Sequence, residues 1–243
     1  NVGKEGIVEP KDVEKALKLE TILVSVIYAN NEIGTVQPIA EIAKVIRNFR
    51  KKRSGKLASL KTDIKGNFPE VLFHIDACQA PDYLELNVNK LGVDLMTING
   101  SKIYGPKGIG VLYAKKGVKL EPIMRGGEQE KKIRPGTENV AAIAGLAEAL
   151  KIANKERSKE AKRLTALRDY FIERLTAEIP KTFLNGHPTK RLPNNINISI
   201  LDVEGESVLL YLDEAGIACS TGSACTSENL EPSHVIMALG KPY

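Results

Sequence analysis

Val71-Leu-Phe-His-Ile-Asp-Ala-Cys-Gln79, followed by Leu95-Met-Thr-Ile-Asn-Gly-Ser-Lys102, is the stretch that decides the fold. Each half is a short apolar run, rich in branched and aromatic side chains, that stops abruptly in a polar cluster. Runs of this kind bounded by turn formers read as buried strands. Ile22–Tyr28 before them and Gly110–Ala114 after them read the same way. Between the first two strands, Pro38 to about Arg53 places Ile39, Ile42, Ala43, Ile46 and Phe49 at helical spacing. Pro38 suits a first helical turn. Strand–helix–strand alternation predicts an α/β fold with a mainly parallel sheet, in which ligands sit beyond the carboxyl ends of the strands.

Outward from this core, Asn139 to Ile179 carries a strong helical pattern that Pro180 ends. A loop with Asn185, Gly186 and Pro188, a strand near Ile196–Leu201, a helix near Glu204–Ala215 and a Gly/Ser/Thr-rich segment follow. The expected organisation is a large domain over 1–157 and a smaller α+β domain over 158–243. Lys51–Pro69 reads as an insertion between helix and strand.

The 243 residues are 42% hydrophobic and 27% charged, which excludes a disordered or fibrous chain. The longest apolar runs, such as Ile22–Ala29, fall well short of the roughly 18–20 residues that span a bilayer. No signal-peptide pattern opens the chain. Three cysteines are too few for a disulfide framework. A soluble, cytoplasmic protein is the expectation. The net charge of +5 is concentrated: residues 47–65 hold eight basic side chains against Asp63 alone, a local +7 that leaves the rest near −2. With Phe49 as its only aromatic residue, this segment reads as a solvated helix end and loop rather than a nucleic-acid surface. An acidic partner is the alternative.

Three strand ends hold polar clusters: Asn30-Asn31-Glu32-Ile33-Gly34, His74–Gln79, and Asn99-Gly100-Ser101-Lys102 with Tyr104–Gly108 after it. A lysine flanked by small residues suits a Schiff base, because an aldehyde can approach and partial desolvation favours the neutral amine. An aspartate at the end of a buried strand needs a cation or donor, and the protonated nitrogen of a pyridine cofactor is one. Ser101, Thr137 and backbone N–H groups could serve a phosphate. The Gly105–Gly110 stretch is not G-x-G-x-x-G and precedes a strand, so it does not support a dinucleotide site. No P-loop motif occurs, and His74, His187 and His234 are too scattered for a metal site, with Cys219 and Cys225 six apart. Cys225 lies in Ser220-Thr-Gly-Ser-Ala-Cys-Thr-Ser227, a run of small polar residues that cannot be core, and reads as a reactive thiol. Cys219 is expected to pack as a small hydrophobe, and Cys78 to wall a pocket.

Taken in order, Asn30–Gly34, His74–Gln79, Gly100–Gly108, Arg134–Thr137 and Ser220–Ser227 resemble the cysteine desulfurases of the NifS and IscS type, which have the class V aminotransferase fold. The resemblance implies the pyridoxal-phosphate-dependent transferase fold type I. It also implies an activity in which pyridoxal 5'-phosphate and L-cysteine react, a loop cysteine takes the substrate sulfur as a persulfide, and L-alanine leaves. The sulfur then passes to an acceptor such as an iron–sulfur scaffold. By motif, Lys102 would be the Schiff-base lysine and proton shuttle, and Asp76 the partner of the pyridine nitrogen. Gln79 and Asn31 would bond the ring hydroxyl region, with Asn99 and Ser101 completing the cofactor set, and Cys225 would be the persulfide nucleophile. Thr137 would reach the phosphate of a neighbouring subunit, which implies a homodimer.

Where many members have Ser-Gly-His-Lys, this chain has Asn99-Gly100-Ser101-Lys102, so the Ser101 hydroxyl is expected to replace part of a histidine–phosphate contact. The basic stretch before Asp76 is longer than usual. The family's cofactor-stacking histidine and Gly/Thr phosphate loop would precede Asn1, and its substrate-carboxylate arginine would follow Tyr243, so a fragment is expected. Another enzyme of the same fold (a selenocysteine lyase or class V aminotransferase) and a catalytically silent module that binds through residues 47–65 are the alternatives.

Overall fold

A computed structural model describes residues 2–59, 69–221 and 233–240, without the side chains of 56–59. In chain order they form α1 (Pro10–Ala16), β1 (Leu23–Ile27), α2 (Ile39–Ser59), β2 (Leu72–Asp76), α3 (Val88–Leu91), β3 (Leu95–Asn99), β4 (Gly110–Ala114), α4 (Val140–Glu178), β5 (Thr182–Leu184), β6 (Ile198–Ile200), α5 (Gly205–Glu214) and α6 (His234–Ala238). Two compact units are present: Leu17–Ile27 with Ile39–Arg157, and Asn1–Ala16 with Tyr28–Pro38 and Ser158–Tyr243.

The first of these units is built on a four-stranded sheet in the order β1-β2-β3-β4. β1, β2 and β3 are parallel, and β4 returns antiparallel beside β3. The antiparallel return follows from length: a parallel crossover needs a dozen or more residues, and only Gly100–Ile109 separates β3 from β4. In β2, and in β3 from Met96 on, buried and half-buried residues alternate, because successive side chains in a strand point to opposite faces. Phe73, Ile75, Met96 and Ile98 are buried on one face. The apolar stripe Ile39, Ile42, Ala43 and Ile46 of α2 is buried in the same unit and supplies the other half of this core. The opposite face carries Ser25, His74, Asp76, Thr97 and Asn99, and there Leu23, Ile27 and Leu112 stay exposed.

Polar ties hold α2 to the starting ends of the strands. Arg50 donates Nε to the Val71 carbonyl at 2.8 Å and Nη2 to the buried Asp94 carboxylate, which also takes the Phe73 N–H at 3.0 Å and faces Lys115 Nζ at 3.4 Å. α2 runs on to Ser59, so the first part of the expected Lys51–Pro69 insertion is helix. Lys, Arg, Leu and Ala are strong helix formers, and the Gly55 that interrupts them is tolerated at modest cost. Among the described residues no helix is long and apolar enough to cross a membrane.

In the second unit β5 and β6 form an antiparallel pair. Asn185, 1% exposed, donates Nδ2 to Asn197 Oδ1 and to Ser199 Oγ, each at 2.8 Å. The segment Tyr28–Pro38 lies against the 185–197 loop. Val36 N–H donates to the Lys190 carbonyl, Leu192 N–H to the Gly34 carbonyl and His187 N–H to Thr35 Oγ1. Thr35, fully buried, donates its own hydroxyl hydrogen bond to the Glu5 carbonyl at 2.8 Å.

Candidate active site

Asp76 is the last residue of β2, and half-buried. Its Oδ1 accepts the Cys78 backbone N–H at 2.9 Å, a side-chain-to-backbone turn that Asp favours. Ala77 N–H donates to the Thr97 carbonyl of β3, so the polar turn after β2 is stitched to the neighbouring strand. The Cys78 thiol feels the charges of Asp76 and Lys102. Burial first, then the hydrogen bond and charge of Asp76, push this thiol up to about 12, against the pull of Lys102 and Thr97. Cys78 is therefore protonated and no nucleophile at neutral pH. Asp76 and Lys102, on two adjacent strand ends, both act on Cys78. Gln79 follows, half-buried.

β3 ends at Asn99, whose Oδ1 caps the 3-10 turn Gly100–Ile103. It accepts both the Ser101 N–H at 2.9 Å and the Ser101 hydroxyl at 2.8 Å. The Ser101 proton expected to serve a phosphate is thus already placed on Asn99. A phosphate contact there requires the hydroxyl to change partner, or the oxygen to leave the task to the backbone N–H groups of the turn. Gly100 is needed by close approach, since a Cβ would sit 2.8 Å from Ile109 Cγ2 and 2.9 Å from the Pro106 carbonyl. Gly145 of α4 lets Pro106 approach: a Cβ there would meet the ring at 2.6 Å. The turn closes at Tyr104, in the left-handed region at φ 58° and 94% exposed, a conformation that costs energy in a non-glycine residue.

Lys102 lies in this turn and is exposed. The partial burial expected of a Schiff-base lysine is not supplied by these residues, because a turn beyond the strand end projects past the sheet's own packing. Thr137 lies in the loop before α4, exposed as well, after Gly136 at φ 101°.

Asn31 belongs to the second unit. Asn30 Oδ1 accepts the N–H groups of Glu32 and Ile33 at 2.9 and 3.0 Å, which turns the chain and leaves the Asn31 side chain exposed. The sequence reading missed what holds this loop. Asn195 donates Nδ2 to the Asn31 and Glu32 carbonyls at 3.3 and 2.9 Å, Asn197 donates to the Glu32 carbonyl at 3.2 Å, and Arg191 Nη2 donates to Asn195 Oδ1. Gly34, at φ 71°, admits Asn195 where a Cβ would come within 2.6 Å of its Oδ1. The buried Glu32 carboxylate accepts the Ser233 hydroxyl, and Ser233 Oγ caps α6. The Asn194-Asn195-Ile-Asn197 run ahead of a strand was the available signal.

Cys219 is exposed, which corrects the expectation that it packs as a small hydrophobe. It follows the C-terminus of α5 in irregular backbone, where no element among the described residues buries it. Cys225 lies outside the described residues.

The group implied by these residues is pyridoxal 5'-phosphate, and the donor set fits it. A carboxylate with one oxygen committed to a backbone N–H keeps another for a ring N–H⁺, a primary amine stands at the next strand end, and a capped turn offers backbone N–H groups.

The aminotransferase class-V family model matches residues 1–52 and 56–241. The cysteine desulfurase IscS of Dictyoglomus turgidum is 47% identical over 241 residues, covering 99% of this chain and 56% of its own length. That of Methanosarcina thermophila is 46% identical over 242 residues, covering 100% and 55%. Among solved structures, a NifS-like protein aligns with a TM-score of 0.82 at 31% identity over 98% of this chain and 57% of its own. DndA from Streptomyces lividans aligns with a TM-score of 0.73 at 32% identity over 99% and 62%. The chain spans a little over half the length of the curated relatives it matches. Its α/β fold is that of the fold type I transferases, with a mainly parallel sheet. From the match along almost its whole length, and the strand-end motifs set out above, this chain belongs to the class V aminotransferase family, with cysteine desulfurases of the IscS and NifS type among its relatives.

Proposed function

We propose that this protein is a pyridoxal-phosphate-dependent cysteine desulfurase that moves sulfur from L-cysteine to its own Cys225, releasing L-alanine. The observation that carries the reading is the grouping of Asp76, Cys78 and Lys102 at the ends of β2 and β3. When bound, the cofactor supplies an electron sink conjugated to the substrate amine. Lys102 anchors it and then moves the proton between substrate carbons. Asp76 holds the ring nitrogen protonated, with Gln79 and Asn31 at the ring hydroxyl and Asn99 and Ser101 shaping the turn beside the phosphate. The Cys225 thiol takes the sulfur as a persulfide. An aminotransferase has no use for a thiol in a Gly/Ser/Thr-rich segment, and that separates the desulfurase reading from its nearest alternative.

A homodimer goes with this reading. Thr137 stands in an exposed loop, and Ile123, fully exposed, Met124 and Ile133 are exposed apolar side chains in the same stretch of chain that a second copy could cover. We also place the protein in the cytoplasm, delivering sulfur to an iron–sulfur scaffold or a similar acceptor.

The test is the visible absorbance of the purified chain with added pyridoxal 5'-phosphate, followed by borohydride reduction and peptide mapping. A yellow species trapped on Lys102 supports the assignment, whereas trapping on Lys107 would move the anchor. In the loaded enzyme, Cys225→Ala keeps the colour and loses sulfide release; retained turnover sinks the role of Cys225.

A further inference from the structure

The loop that carries Asn31 is tied down more firmly than a surface turn requires. Asn30 alone turns the chain, through the Glu32 and Ile33 N–H groups on its Oδ1 and the Gly34 N–H on its carbonyl at 3.0 Å. Carbonyls at such a loop tip are ordinarily left to water. Here the Asn31 and Glu32 carbonyls instead take three side-chain donors from far along the chain, Asn195 Nδ2 at 3.3 and 2.9 Å and Asn197 Nδ2 at 3.2 Å. The Glu32 carboxylate takes a fourth from Ser233. The Asn31 side chain itself is exposed and makes no hydrogen bond among the described residues, so its direction is set by the backbone beneath it.

The two amides that reach the loop are oriented from behind. Arg191, 4% exposed, can only donate, and its Nη2 lies 3.2 Å from Asn195 Oδ1. The Asn195 oxygen therefore faces Arg191, and its Nδ2 faces the loop. Asn197 is set the same way: its Oδ1 accepts Asn185 Nδ2 at 2.8 Å, which leaves its own Nδ2 for the Glu32 carbonyl. Arg191 Nη1 ties the Asn185 carbonyl at 3.2 Å, and Arg168 Nη1 holds the Arg191 and Leu192 carbonyls at 3.1 Å each. The hydrogen bonds of Arg191 thus go to neutral oxygens, a costly arrangement for a buried guanidinium. What it secures is the orientation of Asn195.

We propose that Asn195, oriented by Arg191, is a positioning residue for Asn31: its two donated bonds hold the Asn31–Glu32 backbone in the one conformation that presents the Asn31 side chain to the cofactor ring. The role rests on the proposed function, which gives Asn31 the ring hydroxyl, whereas the hold on the loop is a property of the chain alone. A contact residue with its own polar groups free and its backbone clamped is preorganised for a ligand.

Asn195→Asp separates this role from a merely structural one. It keeps the shape of the side chain and gives Arg191 a carboxylate partner, but its oxygens cannot donate to the loop. In the full 243-residue chain without cofactor, the carbonyl ¹³C resonances of Asn31 and Glu32 are expected to move in this variant. The Glu32, Ile33 and Gly34 amides should exchange about fivefold faster or more, while the thermal midpoint stays at or above that of Asn195→Ala. Unmoved resonances and wild-type exchange overturn the hold on the loop. With pyridoxal 5'-phosphate added and binding followed by visible absorbance, Asn195→Asp and Asn31→Ala should each bind roughly five-fold more weakly than the wild type, the value of one net hydrogen bond. The double variant should bind no more weakly than Asn31→Ala, because Asn195 acts through Asn31. Losses that multiply in the double variant overturn the positioning role, and wild-type binding by Asn31→Ala removes it together with the place of Asn31 at the ring. No binding by the wild type counts against the cofactor reading and any role toward it, and the resonances then decide the hold alone.

Discussion

Replacing Asp94 by asparagine puts the polar frame of the sheet under direct test. Asp94 is 4% exposed and receives Arg50 Nη2, Lys115 Nζ and the Phe73 N–H. The amide oxygen of asparagine still accepts from Phe73, so the change removes one charge and little else. Breaking a buried pair by deleting one partner costs about 3–5 kcal/mol. Here the stranded Arg50 keeps the Val71 carbonyl at 2.8 Å and has the exposed Glu70 at 3.6 Å, and its side chain is 18% exposed. We therefore expect about 2–3 kcal/mol, near the value of one charge-assisted hydrogen bond. Native-state hydrogen exchange reads this locally. Phe73 N–H and Asp94 N–H, which bond to Asp94 Oδ2 and to the Phe73 carbonyl, should exchange roughly 30- to 150-fold faster in Asp94→Asn. Asp94→Ala should cost about 1 kcal/mol more, because it also orphans the Phe73 donor. Exchange within about threefold of the wild type would refute the argument, and would mean that solvent compensates Arg50 as well as the carboxylate does.

The thiols and the serine turn give two further checks. At pH 7.5, iodoacetamide should modify Cys219 readily and Cys78 very slowly. Cys78 stays protonated until pH approaches about 12, so its labelling rate should rise about tenfold for each pH unit over the neutral and mildly alkaline range; fast labelling of Cys78 near neutrality contradicts its placement. Ser101→Ala should weaken pyridoxal 5'-phosphate binding by less than about threefold, because the hydroxyl proton is committed to Asn99; a loss of tenfold or more would show that the hydroxyl turns to the phosphate.

Much of the sheet unit can be read from sequence because its signals are local. Short apolar runs that stop in polar clusters mark β2 and β3, the helical spacing of Ile39, Ile42 and Ile46 marks α2, and Pro180 stops α4. Local signals leave open what a neighbour decides. The antiparallel β4 depends on how few residues join it to β3, and the length of α2 depends on Arg50 and Arg53 having carbonyls to reach at the sheet end. Cys219 follows the apolar Ile217-Ala218 and is expected to pack as a small hydrophobe, yet it is exposed, in irregular backbone beyond the end of α5.

The sequence by itself determined the family motifs, the strand-end positions of Asp76 and Lys102, and the chemistry that a carboxylate and an amine at such ends can perform. Those properties reside in residue type and short-range spacing. Only the tertiary structure decided what surrounds them. Ser25 meets His74 across 49 positions of chain, Asn195 meets Glu32 across 163, and the Ser101 hydroxyl chooses Asn99 over an open approach. Hydrogen bonds of that range are set by strand register and loop docking, which no local periodicity encodes.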